Sequence, residues 1–352
     1  MSDKKFGIGI VGLGNIADVH AEAIKLTNDG KLVSAYSSTE EKIKKFEKTY
    51  DTKGFTSYDD FLNDPDLDIV SICTPSGTHL DFGKAAAEAG KHVVVEKPIE
   101  VTLEKAGELI ESCKANGVKL AVIYQSRFSD DTIKMKQAID NGEIGDVFMS
   151  TASVKWFRDQ EYYTSSPWRG TFKLDGGGAV INQSIHTIDL LVWMLGGIDS
   201  VQAYKGTFTH PTIEAEDNAV SIFRTKSGSI GTFVASTSIV PPFPRRIEVF
   251  GDKGSAVLDE STFRLLKTEE DLKSAKDSSE DATGGASPLA HFKFDPHKNQ
   301  FNAIMEAIRE DRDPPVSGID SLQSLAFVEG LYKSADSGEQ VKLDNLLEKY
   351  SK

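Results

Sequence analysis

Two cysteines, Cys73 and Cys113, among 352 residues are too few for a disulfide framework or a multi-cysteine metal site, and that scarcity suits a reducing compartment. Long apolar runs are missing as well. The longest, Leu190 to Leu195, falls far short of the roughly 20 residues a membrane helix needs, so no membrane partner is expected. The N-terminus passes from Met1-Ser2-Asp3-Lys4-Lys5 straight into a strand-like segment with no apolar signal core, and a cytoplasmic location is the expectation. Positive charge is in deficit, with 40 basic against 54 acidic side chains and a formal net charge of −14. A body this acidic repels phosphate backbones, and no basic stripe exceeds Lys42-Ile43-Lys44-Lys45, so no nucleic-acid partner is expected. No cluster of ligand-type residues suggests a metal. With 39% hydrophobic and 27% charged residues, disorder and collagen-like repeats are excluded, and the length suits two domains. A small-molecule enzyme remains as the default.

The first third of the chain alternates two periodicities. Strand-like runs at 5–11, 32–36, 68–73, 92–95 and 120–123 alternate with helical spacing at 17–26, 40–50, 80–89 and 103–115. Short connections between them imply a parallel sheet covered on both faces, an α/β Rossmann arrangement over residues 1–124. At the first strand–helix junction stands Gly12-Leu13-Gly14-Asn15-Ile16-Ala17, a G-x-G-x-x-A pattern. Gly12 permits a tight turn, Gly14 lets a phosphate approach the backbone, and Ala17 lets helix and strand pack closely. The helix start, with Asn15 and Ile16, offers N–H groups to a pyrophosphate. A nicotinamide dinucleotide, NAD(P), is the expected cofactor.

The second strand ends in Tyr36-Ser37-Ser38-Thr39, with no carboxylate before Glu40 to take the ribose hydroxyls of NAD. Ser37, Ser38 and Lys42 suit a 2′-phosphate, which leans the expectation towards NADP; the same serines equally serve as helix caps. Thr74-Pro75-Ser76-Gly77-Thr78-His79 follows the strand at 68–73, where the strand ends of such a sheet line a ligand crevice, so Thr74, Pro75 and His79 are cofactor candidates. A plain turn explains that segment as well. Glu96-Lys97-Pro98 follows the strand at 92–95 at the same mouth, and a partly desolvated Lys97 makes a usable acid or base. Farther on, Gly176-Gly177-Gly178 opens a buried helix carrying Asn182 and His186 four apart, with Asp189 three further. A polar stripe on so apolar a helix belongs to a wet site or is internally paired, and the glycines suggest close ligand approach.

Taken in order, Gly12-x-Gly14-x-x-Ala17, Thr74-Pro75, Glu96-Lys97-Pro98 and Gly176-Gly177-Gly178 with Asn182-x-x-x-His186 resemble the glucose–fructose oxidoreductase / inositol dehydrogenase / MocA family, over nearly the whole chain. The resemblance implies that Lys97 and Glu96 lie beside the nicotinamide, with a frequent cis peptide before Pro98, and that His186 is the catalytic histidine. It further implies that Gln125 borders the nicotinamide and that Trp168-Arg169 belong to a loop folding over cofactor and substrate. One position departs from the family pattern, which often has aspartate where this chain has Asn182. An asparagine orients a sugar hydroxyl but holds no charge, which leaves proton transfer to Lys97 and His186.

From Asp146 onward strand-like segments follow one another at 147–157, 201–208, 218–225, 229–238, 246–250 and 255–258, with hairpin turns at 225–228 and 251–254. Residues 125–352 thus read as an α+β domain with a large, mainly antiparallel open sheet that binds substrate. One face of that sheet needs a cover, and a homodimer or homotetramer through it is expected, as the resemblance also implies. Residues 273–288 read as a surface loop, and helices follow at 299–310 and 322–334. His297 and Gln300 suit either the substrate pocket or a helix start. The expected reaction is hydride transfer between nicotinamide and a secondary hydroxyl or ketone of a sugar, polyol or sugar derivative. The alternatives are a dinucleotide-bound sensor without turnover and an NAD-dependent glycosidase-type redox relay.

Overall fold

The computed structural model describes residues 5–267, 271 and 293–350, so the loop expected at 273–288 lies outside the described residues. Two compact units emerge, one of Met1–Gln125 with Pro288–Ser321 and one of Ser126–Ser287 with Leu322–Lys352. The first crossing falls after Gln125, and the chain later returns to the first unit before leaving it again after Ser321.

In the first unit the elements run β1 (Phe6–Val11), α1 (Asn15–Lys25), β2 (Gly30–Tyr36), α2 (Glu40–Tyr50), β3 (Lys53–Phe55), α3 (Tyr58–Leu62), β4 (Ile69–Ile72), α4 (His79–Glu88), β5 (His92–Val95), α5 (Leu103–Ala115) and β6 (Leu120–Val122). All strand pairs are parallel, in the order β3-β2-β1-β4-β5-β6. The order reverses between β1 and β4, so the turns that leave these strands flank the switch point where such sheets hold ligands. β3 has no alternating pattern in its three residues; pairing with the free edge of β2 makes it a strand.

The return of the chain has a packing cause. In the second unit lie α6 (Asp130–Asp140), β7 (Val147–Lys155), α7 (Gln160–Thr164), a π-helical turn at Ala179–Gln183, α8 (Ser184–Met194), β8 (Ile198–Gly206), β9 (Asn218–Thr225), β10 (Ile230–Ser236), β11 (Arg246–Gly251), β12 (Gly254–Asp259) and β13 (Thr262–Leu266). Next comes α9 (Asp295–Arg309), whose Phe301, Ile304 and Met305 join Ile8, Ile10, Ala21 and Ile24 in the core of the first unit. Burying three such side chains contributes about 1.5–3 kcal/mol each, ample to hold the helix there. Backbone bonding completes the attachment, Val122 N–H donating to Val316 O at 3.0 Å.

The second unit closes with α10 (Gly318–Ser337), which starts within the last residues of the first unit, β14 (Val341–Lys342) and α11 (Asp344–Leu347). Its sheet runs β13-β12-β11-β7-β10-β9-β8-β14 and is antiparallel apart from the β7–β10 pair. Alternate residues of β9 and β10 are buried, and Phe223 and Phe233 pack edge-on against Phe327 of α10. The opposite face exposes Met149, Tyr204, Val220, Ile222 and Ile230. No helix among the described residues is long and apolar enough to cross a membrane.

Candidate active site

On the first unit the glycine turn is built to specification. Gly12 has φ +88°, and a Cβ there would stand 2.7 Å from Thr74 Cγ2, so both conformation and space demand glycine. Gly14 differs: a Cβ added to it meets nothing within 4 Å. The protein's own packing does not require that glycine, and the open space lies at the start of α1, whose Gly14 N-cap has no side chain to satisfy the free N–H groups. Asn15 is exposed and Ile16 half-buried at the same end. A pyrophosphate fits this cradle and would use those N–H groups.

Around the cradle the other expected residues divide by role. Ser37 is buried and its Oγ accepts the Thr39 N–H at 3.2 Å, whereas Ser38 and Lys42 are exposed. Thr74 packs on Gly12 and its Oγ1 accepts the Thr78 hydroxyl at 2.8 Å; Pro75 is half-buried beside it. His79 has no exposed surface. Its Nδ1 lies 3.0 Å from Pro98 O and its Nε2 3.1 Å from Thr74 O, and a neutral ring donates to one of these two carbonyls. Burial pushes its pKa down, against the pull of the Glu100 carboxylate.

Lys97 sits at the end of β5, half-buried, and the Lys97–Pro98 peptide is cis. Its N–H donates to Glu96 Oε2 at 3.1 Å, while Glu96 Oε1 accepts from His20 Nε2 at 2.7 Å. His20 Nδ1 reaches Ser71 Oγ at 2.8 Å and lies 3.4 Å from Cys73 Sγ. Burial works against both charges, yet the His20 bond, Lys97 and His297 hold Glu96 down to about 2. Burial is likewise overcome at His20, where Cys73 and Glu96 raise the imidazole to about 10. The pair is thus an imidazolium–carboxylate bridge beneath Lys97. His297, its ring centroid 5.7 Å from that of His20, is pushed down to about 3 by burial and by the His20 charge. The ligand atoms of His20, Glu96 and His297 lie within 4.8 Å of one another, and His20 already spends Nε2 on Glu96 at 2.7 Å and holds Nδ1 2.8 Å from Ser71 Oγ. Gln300 donates to Val122 O at 2.8 Å, so both it and His297 are interior residues of the first unit, each with 1% of its surface exposed. Gln125 ends the unit, half-buried.

The second unit gathers Trp168, Arg169, Asn182 and His186. The Arg169 guanidinium lies over the Tyr162 ring at 4.2 Å and the Trp168 ring at 5.5 Å, and Nη1 donates to Tyr162 O at 2.8 Å. The Tyr162 hydroxyl accepts from Gln183 Nε2 at 2.8 Å, which ties this loop to the neighbour of Asn182. Asn182 belongs to the π-helical turn and His186 to the start of α8, so the unbroken α-helix expected from 179 to 195 is interrupted between them. Asp189, at the far end of the expected polar stripe, is internally paired: it is bidentate with Arg127 at 2.6 and 2.7 Å and accepts from Ser324 Oγ at 3.0 Å.

A residue absent from the sequence reading completes the group. Asp175 is buried; its Oδ2 accepts the Gly170 N–H at 2.8 Å and its Oδ1 accepts from Asn182 Nδ2. The acidic residue immediately before the glycine triplet was the available signal. The glycines themselves serve a different purpose from the expected close ligand approach. A Cβ on Gly178 would lie 1.9 Å from Glu216 O, and one on Gly177 2.2 Å from Tyr332 Oη, so the protein's own atoms fill that space.

A doubly wound parallel sheet with a glycine cradle at its switch point, followed by a large open sheet, defines a dinucleotide-binding oxidoreductase of two-unit construction. Residues 6–124 match the oxidoreductase family with an NAD-binding Rossmann fold, and residues 132–257 match the GFO/IDH/MocA C-terminal domain. The chain belongs to the Gfo/Idh/MocA oxidoreductase family. It is similar to the myo-inositol 2-dehydrogenase of Thermotoga maritima, at 27% identity over 97% of this chain and 99% of the relative. It is also similar to the NAD⁺-dependent scyllo-inositol 2-dehydrogenase of Bacillus subtilis, at 29% identity over 95% of each. Among solved structures, the WlbA dehydrogenase of Bordetella pertussis, in complex with NADH and UDP-GlcNAcA, superposes with a TM-score of 0.84 and 31% identity, over 96% of this chain and 99% of that one.

Proposed function

We propose that the protein is an NAD(P)-dependent dehydrogenase that moves hydride between the nicotinamide and a secondary carbinol or ketone of a sugar, polyol or sugar derivative. The observation that carries this reading is the paired construction of the first unit: a glycine cradle with unfilled space at Gly14, and a lysine after β5 braced by a buried His20–Glu96 bridge. The substrate class comes from the relatives, which act on inositols or hold a nucleotide sugar acid. When bound, the dinucleotide supplies or takes the hydride. Gly12, Gly14, Asn15 and Ile16 hold its pyrophosphate; Thr74, Pro75 and Gln125 border it, and Ser38 with Lys42 favours NADP. Lys97 and His186 exchange the carbinol proton, help worth about 10²–10⁴ in rate. Asn182, held by Asp175, orients a hydroxyl, and Trp168 and Arg169 cover it.

Polyols, hexoses and nucleotide sugars assayed at 340 nm with NAD and with NADP test the reading. Turnover on at least one of them is expected, and Lys97→Ala should bind dinucleotide normally while losing turnover at least about 100-fold. Full activity in Lys97→Ala would remove that residue from the chemistry, and a wild-type protein inert towards the whole panel would remove the substrate class. The buried, unbridged cysteines Cys73 and Cys113 support a cytoplasmic location. The exposed apolar face of the second unit's sheet supports pairing with a second copy.

A further inference from the structure

Glu216 stands two residues before β9 in the second unit, with 3% of its surface exposed. It meets the start of the π-helical turn twice. Its carbonyl accepts the Ala179 N–H at 3.0 Å, and its side-chain Oε1 accepts the Val180 N–H at 2.8 Å. The same Oε1 accepts the Tyr332 hydroxyl from α10 at 3.1 Å. Its Oε2 is buried with no hydrogen-bond partner among the described residues.

An ionised carboxylate would leave charge on a buried oxygen that accepts no hydrogen bond from the described residues, which is unfavourable. Protonation on Oε2 removes that charge and leaves Oε1 as a carbonyl accepting two hydrogen bonds. In agreement, burial pushes the carboxyl up to about 7 against the opposing pull of the Val180 N–H and the Tyr332 hydroxyl. The surrounding fit is close, since neither Gly177 nor Gly178 tolerates a Cβ against Tyr332 Oη and Glu216 O. Val180 is two residues before Asn182 and six before His186. The clamp on Val180 therefore sets where the following turn, and the side chains on it, can point.

We infer that Glu216, clamped by Tyr332, is a positioning residue for the substrate-binding segment 179–186. The inference rests on the dehydrogenase reading for the roles of Asn182 and His186, but the clamp itself is testable without it. Glu216→Ala removes the acceptor, whereas Glu216→Gln keeps a carbonyl at Oε1 and places an amide where the acid hydroxyl stood. In the Ala variant, KM for the sugar or polyol should rise at least tenfold while the Kd for NADH, bound on the first unit, stays at the wild-type value. The Gln variant should return KM to within threefold. Unchanged KM in a folded Ala variant, or a Gln variant as impaired as Ala, would overturn the assignment.

Hydrogen exchange of residues 179–186, read by mass spectrometry, separates failure of the clamp from failure of the dehydrogenase reading. Faster exchange in Glu216→Ala, restored in Glu216→Gln, supports the clamp even if the wild type turns over no sugar; identical exchange in all three refutes it. If Glu216→Ala does not fold, Tyr332→Phe removes one of the two bonds to Oε1, and the same exchange comparison decides.

Discussion

Asp175 ends a turn and stands seven residues before Asn182, and its two oxygens are engaged by the Gly170 N–H and the Asn182 amide. The departure of Asn182 from the acidic residue common in the family thus places a carboxylate one side chain away rather than removing it. Its negative charge fixes the amide so that Asn182 presents Oδ1 away from Asp175, where Gln183 Nε2 donates to it. Asp175→Asn brings an amide donor against either the Gly170 N–H or the Asn182 amide, replacing a charge-assisted bond worth about 1.5–3 kcal/mol with a mismatch. A rise of about 10- to 100-fold in KM for the sugar is expected, with the NADH Kd unmoved. Steady-state kinetics beside a fluorescence titration of NADH check it, and an unchanged KM would show that Asp175 only holds the loop.

Among elements, the joint between α1 and β5 holds a buried histidine–carboxylate pair. His20 projects from the second turn of α1 onto Glu96, which directly follows β5, so one buried bridge locks the cradle helix to the strand that delivers Lys97. The pH window follows from the two shifts. His20, raised to about 10, contributes fully below the ordinary histidine value near 6.5 and fades as pH climbs through 10. Glu96, lowered to about 2, contributes fully above the ordinary carboxylate value near 4.5 and fades as pH falls through 2. His20→Gln should therefore cost on the order of 3 kcal/mol between pH 4.5 and 6.5, shrinking towards pH 10. Melting temperatures of the two proteins across pH 3–10 measure this, and a pH-independent difference would reduce the bridge to packing. Element types were legible wherever periodicity ran long, as in α2, α5 and β9. The π-helical turn at 179–183 was not, because its cause lies at Glu216 and Tyr332, which are distant in sequence.

For the whole molecule, the second unit's sheet leaves an apolar face open, with Tyr204 78% and Ile222 57% exposed. On this face β9 and β10 place Val220, Ile222 and Ile230 near one another, with Arg224 opposite Ile230. Association with a second copy through this face predicts a dimer or tetramer by light scattering at micromolar concentration. Ile222→Glu should shift the protein towards monomer by desolvating a carboxylate within the interface. A wild-type monomer at every concentration would discard the association.

The sequence by itself determined the alternating first unit, the glycine cradle, the position of Lys97 after its strand and the two-sheet architecture. Each of these is written in short-range spacing, which backbone geometry reads within a few residues. Only the tertiary structure decided that α9 belongs to the first unit, that His20 lies under Glu96, and that Asp175 and Glu216 flank the Asn182 turn. Those outcomes depend on burial and hydrogen bonding between residues up to hundreds of positions apart, where no local pattern records which partner satisfies which group.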